Sequence, residues 1–180
     1  MALTSTIYRF QLKISNVDTA TYMDRELSVA MHPSESLPYL LTRIIAYALN
    51  YDRDLEMTAG IASPDEPAIQ LKDLTGVRKL WIDLGNPSAK RLHKARKTVE
   101  AVRVYTYKDV TGWLKELAGE EIHAKNSIEI FSLSSAFLGE LGNALDRNNT
   151  WEILHINGEL TITARGVTVT GEVTPHPLGE

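Results

Sequence analysis

From residue 6 to residue 14 apolar and polar side chains alternate, with Tyr8, Phe10, Leu12 and Ile14 on one side, the period of a half-buried strand. Beyond a turn at Asn16 and Asp18 the same period returns in Leu27, Val29 and Met31, so the chain is expected to open with a hairpin. The period then changes. Pro33-Ser34-Glu35-Ser36 supplies helix-start chemistry, and Leu37, Leu40, Leu41, Ile44, Ile45 and Ala48 form the wide apolar stripe of a core helix. Three short strand runs follow, at 55–61, 68–72 and 79–84, and the turn-like segments Pro64-Asp65-Glu66-Pro67 and Leu74-Thr75-Gly76 make them a meander. Ser88 offers an N-cap for a helix whose inward face is Leu92, Ala95 and Val99. The strand at 102–107 is reached directly from that helix and is expected to lie parallel to a neighbour.

In the second half, Asp109 opens a shorter helix to about Leu117, and a strand occupies 128–133. Ser134 or Ser135 begins a helix running to about Asn148. The runs 151–156 and 159–164 flank Asn157-Gly158, the strongest short-range hairpin signal, and Arg165-Gly166 turns the chain into a last strand at 167–173. The tail from Thr174 has loop composition and is expected to be peripheral.

With 43% hydrophobic and 23% charged residues among 180, the chain can bury one substantial core, and a single domain over 1–180 is expected. The absence of cysteine excludes disulfides, thiolate catalysis and cysteine-based zinc sites. His32, His93, His123, His155 and His176 are too far apart for local zinc-ligand spacing. The alternating first residues are not those of a signal peptide, and no run approaches a membrane span; a cytoplasmic monomer without a membrane partner is expected. The formal net charge is −4, yet residues 86–108 alone carry +6, which predicts one basic face on an otherwise acidic protein. Nucleic acid, bound weakly and without sequence preference, is the partner such a face implies.

Candidate chemistry concentrates between Ser63 and Lys94. Asp65 and Glu66 stand at the near end of one strand run and Asp83 sits within the next, so their carboxylates could converge on one divalent cation. Asp83 lies in the apolar run Leu80-Trp81-Ile82-Asp83-Leu84, where an unpaired carboxylate would cost several kcal/mol. A metal ion or a helix cation would each compensate it. Pro-Asp-Glu-Pro is also ordinary turn chemistry. In the following helix Lys90, Lys94 and Lys97 form a stripe opposite the apolar face, the pattern of a solvated surface. Arg91 borders the apolar face in the first turn, where a cation opposes the helix dipole, so it should answer a nearby anion: Asp83 or a bound phosphate. Trp81 reads as core packing. No Gly-rich phosphate loop, nucleophile elbow or helical histidine pair is present.

The element order from about 34 to 107, a helix, a three-strand meander, a helix and a strand, resembles the PD-(D/E)XK nuclease core. The resemblance implies magnesium bound by Asp65 and Asp83, with Glu66 beside them and Glu35 from the first helix as a further ligand. It also implies a lysine two residues after Asp83, but Gly85 stands there; Lys90, Arg91 and Lys94 are the nearby cations in sequence that could replace it. The whole chain is similar to the bacterial YaeQ proteins through Met31-His32-Pro33-Ser34-Glu35, Asp65-Glu66-Pro67 and Leu80-Trp81-Ile82-Asp83-Leu84-Gly85-Asn86-Pro87, with Arg91 and Lys94 after them. That family implies an α/β fold: a restriction-endonuclease-like mixed sheet flanked by helices, with an added antiparallel layer from the N- and C-terminal hairpins. Two functions follow as expectations. One is magnesium-dependent phosphodiester hydrolysis by Asp65, Asp83, Arg91 and Lys94; the alternative is a non-catalytic binding or regulatory module, with nucleic acid or an unknown protein as partner.

Overall fold

The computed structural model describes residues 4–178, which form a mixed α/β fold of two mixed sheets and four α-helices. By contacts the chain divides into two compact units, each made of two chain segments: residues up to Tyr51 with Leu133–Val173, and Asp52–Ser132 with the segment from Thr174.

In the first unit β1 (Thr6–Asn16) and β2 (Thr21–Met31) form the expected hairpin. Helix α1 (Leu37–Leu49) starts at Ser36, whose hydroxyl accepts from the Tyr39 N–H, and its residues Leu40 to Ala48 are buried on every side rather than along one stripe. Helix α4 (Ser135–Asn143) is five residues shorter than the expected end at Asn148. The reason is Asn149, whose side chain takes the Asp146 N–H and donates to the Asp146 and Arg9 carbonyls, folding the segment after the helix into a loop. The strands β8 (Asn148–Ile156), β9 (Glu159–Ala164) and β10 (Val167–Glu172) complete a sheet of order β10-β9-β8-β1-β2. Asn157 and Gly158 both have positive φ, as the two-residue turn requires. The expected antiparallel layer needs correction: the two terminal hairpins share one sheet, but β1 and β8 join them in parallel, from Arg9↔Asn148 to Asn16↔His155. Period-two patterning fixes which face is buried, not which partner lies alongside. Phe10 and Trp151 meet edge-on under this sheet, and Phe137 of α4 packs against Gly171, where a Cβ would stand 2.5 Å from the ring.

The second unit holds β3 (Leu55–Met57), β4 (Ile69–Lys72) and β5 (Arg78–Leu84) as the expected antiparallel meander. The first of these is shorter than 55–61 because Gly60, at φ +63°, bends the chain into a 3-10 turn over Gly60–Ala62. Helix α2 (Ala89–Thr98) leads to β6 (Ala101–Thr106), which lies parallel to β5 as its connection predicts. Helix α3 (Thr111–Gly119) then leads to β7 (Ile128–Ser132), again parallel. Trp81, Leu92, Ala95, Val99, Val102, Val104, Trp113, Leu117 and Ile128 pack together beneath α2 and α3. The tail differs from expectation. Thr174–Pro175 forms β11, an edge strand on β7, while Leu178 is buried in the same core and His176 Nε2 meets Ser132 Oγ at 2.7 Å.

Candidate functional site

Asp83 is the central group. It lies on the α2 side of β5, its side chain 4% exposed, and both carboxylate oxygens are taken by one guanidinium. Arg91 Nε donates to Asp83 Oδ2 at 2.6 Å and Nη2 donates to Oδ1 at 2.8 Å, the bidentate fork that charge-assisted pairs favour. The same guanidinium reaches the turn before β4. Nη1 donates to the Pro64 carbonyl and Nη2 to the Glu66 carbonyl at 2.7 Å. Four oxygens from two chain segments therefore converge on one cation. Arg91 is aimed there because Ser88 caps α2 and accepts the Arg91 N–H, fixing the first turn, and because Trp81 supplies a ring 5.3 Å below its guanidinium carbon. Arg78 sits 5.2 Å from the same ring and donates to Gln70, which in turn donates to Glu56. Of the two anions open to Arg91 in the sequence, the structure supplies Asp83.

The other candidate residues stand as follows. Asp65 is 94% exposed and, among the described residues, forms an ion pair with the Lys94 ammonium at 3.8 Å, a contact between solvated chains that contributes little. Glu66 joins the cluster through its backbone, while its side chain is exposed. Glu35 immediately precedes Ser36, the N-cap of α1, and so lies outside the helix. Its carboxylate is buried in the first unit against Arg43, Oε2 accepting from Nη2 at 3.1 Å; burial pushes its carboxyl above the usual range, with Arg43 opposing. Lys90, Lys94 and Lys97 are exposed on α2. Arg96, by contrast, caps the end of the helix by donating to the Val99 and Glu100 carbonyls, and Arg103 pairs with Glu129 at 2.6 Å.

Magnesium needs carboxylate oxygens open to it. The donor set present does not fit that ion while Arg91 holds both oxygens of Asp83, and among the described residues no three His, Asp or Glu side chains converge on a common point.

Two features escaped the sequence reading. The carbonyl contacts of Arg91 carry no side-chain signal. Lys108 is the other: a Cβ at Gly85 would lie 3.8 Å from Lys108 Cε and 3.9 Å from its ammonium, so a cation from the loop after the neighbouring strand lies beside Gly85. The parallel register, with Leu84 opposite Tyr105, brings Lys108 there.

This geometry sits in a chain whose residues 1–173 match the sequence profile described as YaeQ protein. The chain belongs to the YaeQ family. Curated relatives include the uncharacterized protein YaeQ of Escherichia coli K12, 29% identical over 153 residues with 83% of each chain covered, and that of Salmonella typhi, 28% identical over 166 residues with 91% covered. The crystal structure of the YaeQ protein from Xanthomonas axonopodis pv. citri superposes with a TM-score of 0.90 at 31% identity, covering 97% of this chain and 99% of that one. The YaeQ crystal structure from Pseudomonas syringae, 24% identical, shares the fold with a TM-score of 0.88 over 98% and 97% of the chains. The YaeQ fold is thus shared with these solved bacterial structures.

Proposed function

We propose that this YaeQ protein is a non-catalytic polyanion-binding module on a nuclease-like core, and that the outer face of α2 binds nucleic acid without sequence preference. The observation that carries this reading is the division of the cations on α2. Arg91 spends its charge inward on Asp83, whereas Lys90, Lys94 and Lys97 stand exposed on the outside. A bidentate arginine on the one buried acid of the site occupies both oxygens of that carboxylate, while solvated lysines on one helix face are suited to phosphate contacts.

Fluorescence anisotropy with labelled single- and double-stranded oligonucleotides tests it. Affinity should fall steeply with salt. Replacing Lys90, Lys94 and Lys97 together by Ala should weaken binding for every sequence and reduce the log–log salt slope by about 2–3, since each phosphate contact contributes about 0.9. Unchanged affinity would place binding elsewhere, and no binding at low salt would retire the reading.

The competing reading, metal-dependent phosphodiester hydrolysis through Asp65 and Asp83, draws support from Lys108 beside Gly85. It requires Arg91 to release Asp83. Cleavage with magnesium or manganese that Asp83→Ala abolishes in folded protein would favour it.

A further inference from the structure

Along β1, β2 and β8 the residues alternate between the buried face of the first sheet and its open face, and the open face is polar for most of its length. It changes character at the end nearest the β1–β2 and β8–β9 turns. There Tyr22 and Leu154 lie on either side of Ser15 in the register, two strand spacings or about 9–10 Å apart. Val17 and Ile156 take the next positions on the same face, held level by the Val17 N–H donating to the His155 carbonyl. Tyr22 is 62% exposed and the other three 39–43%. Exposed apolar residues are ordinarily scattered singly, so their collection into one patch marks a surface that something covers.

The border of the patch says what covers it. Glu159 lies opposite Ile156 in one register and opposite Glu172 in the next, so two exposed carboxylates stand side by side against the apolar residues. Like charges so placed repel, and among the described residues no cation pairs with either. On the other margin Asp24 and Glu152 flank Lys13, so the surround is negative there too. We propose that this face docks a cationic amphipathic helix of a partner protein, its apolar stripe on Tyr22, Val17, Leu154 and Ile156 and its Lys or Arg side chains on Glu159 and Glu172. A helix fits the face better than a strand. The backbone groups of paired strands are spent within the sheet, so the occupant must satisfy its own N–H and C=O groups, as an α-helix does. The basic helix of a second copy is not that occupant, because Leu92 and Ala95 of α2 are spent in the core of the second unit. Tyr22, aromatic and the most exposed of the four, is the anchor. The inference does not depend on what the lysine face of α2 binds, because it concerns the first unit and a ligand of opposite charge.

Isothermal titration calorimetry of the whole protein tests it, with an amphipathic Leu/Lys peptide of about 14 residues, four turns of helix, and its Leu/Glu counterpart as probes. The Lys peptide should bind and the Glu peptide should not. Tyr22→Ala and Ile156→Lys should each weaken binding at least about tenfold, as loss of a central interface contact does. Glu159→Gln with Glu172→Gln keeps both side-chain shapes; it should weaken binding and reduce its salt dependence, while the melting temperature is no lower because a like-charge pair is gone. Leu74→Ala, at an exposed leucine on the β4–β5 turn of the second unit, should bind as wild type does. No binding of the Lys peptide, equal binding of the two peptides, or binding untouched by the changes at Tyr22, Ile156 and the glutamate pair would each overturn the proposal. So would a concentration-dependent dimer in sedimentation that Ile156→Lys abolishes, which would give the patch to a second copy of the chain.

Discussion

At the scale of single residues, Gly85 is held by its backbone conformation. It sits at φ +79°, a left-handed conformation that only glycine adopts cheaply, and the Lys108 ammonium approaches its vacant Cβ position. Gly85→Lys should therefore lower stability by about 1–2 kcal/mol, the cost of a left-handed non-glycine residue, measured by urea denaturation. A variant as stable as wild type would show that the turn relaxes instead. Asp83 and Arg91 were both legible in the sequence as interesting residues, and for a physical reason: a carboxylate inside an apolar run needs a partner, and a cation in a helix's first turn needs an anion. What the sequence could not show was that each answers the other at 2.6 Å. Spacing of eight residues across a strand, a turn and a helix fixes no distance. Glu35 was likewise visible as a helix-start acid, but its buried pairing with Arg43 depends on how α1 packs.

Among elements, the turns of the two hairpins in the first sheet are clasped together. Asp18, after β1, accepts the N–H groups of Asn157 and Gly158 in the β8–β9 turn, and His155 Nδ1 bonds Asn16 at 3.1 Å. The Asn157 N–H is the chief cause that holds the Asp18 carboxyl below its usual range, while burial pushes the His155 imidazole down. A histidine with a depressed folded pKa takes up its proton more readily in the unfolded chain, so stability is lost as pH falls below the ordinary histidine range near 6.5. The Asp18 contribution persists to lower pH and is lost only as pH falls through its own depressed value. The melting temperature should thus decline between about pH 7.5 and pH 5, and His155→Gln should flatten that slope. An identical slope in the variant would assign the loss to other groups. Both hairpins themselves were readable from alternation and from Asn157-Gly158. Their parallel union was not, because pairing across so long a separation leaves no local trace.

For the whole molecule, the notable fact is that both compact units are completed by late segments of the chain. The tail from Thr174 reads as loop by composition, with two prolines, yet it supplies β11, the His176 contacts and the buried Leu178 of the second unit. Truncation after Val173 should cost about 2–3 kcal/mol, chiefly from Leu178, since burying a leucine contributes about 1.5–3 kcal/mol. Guanidinium denaturation of the shortened protein measures it. Equal stability would return the tail to the peripheral role its composition suggests. Here the sequence misled because a prolyl edge strand and a peripheral loop share a composition, and only burial separates them.

The parallel pairing of β1 with β8 also sets a timetable for synthesis. Arg9 must wait for Asn148, 139 residues later, which at about 5–20 residues per second is roughly 7–28 s of translation. During that interval the β1–β2 hairpin leaves the ribosome with its β1 edge unpaired and its inner row of Phe10, Leu12 and Ile14 uncovered. Throughout that interval the chain carries a sticky edge, and the need for protection from wrong pairing falls on β1 and β2 rather than on the segment that finally closes the sheet.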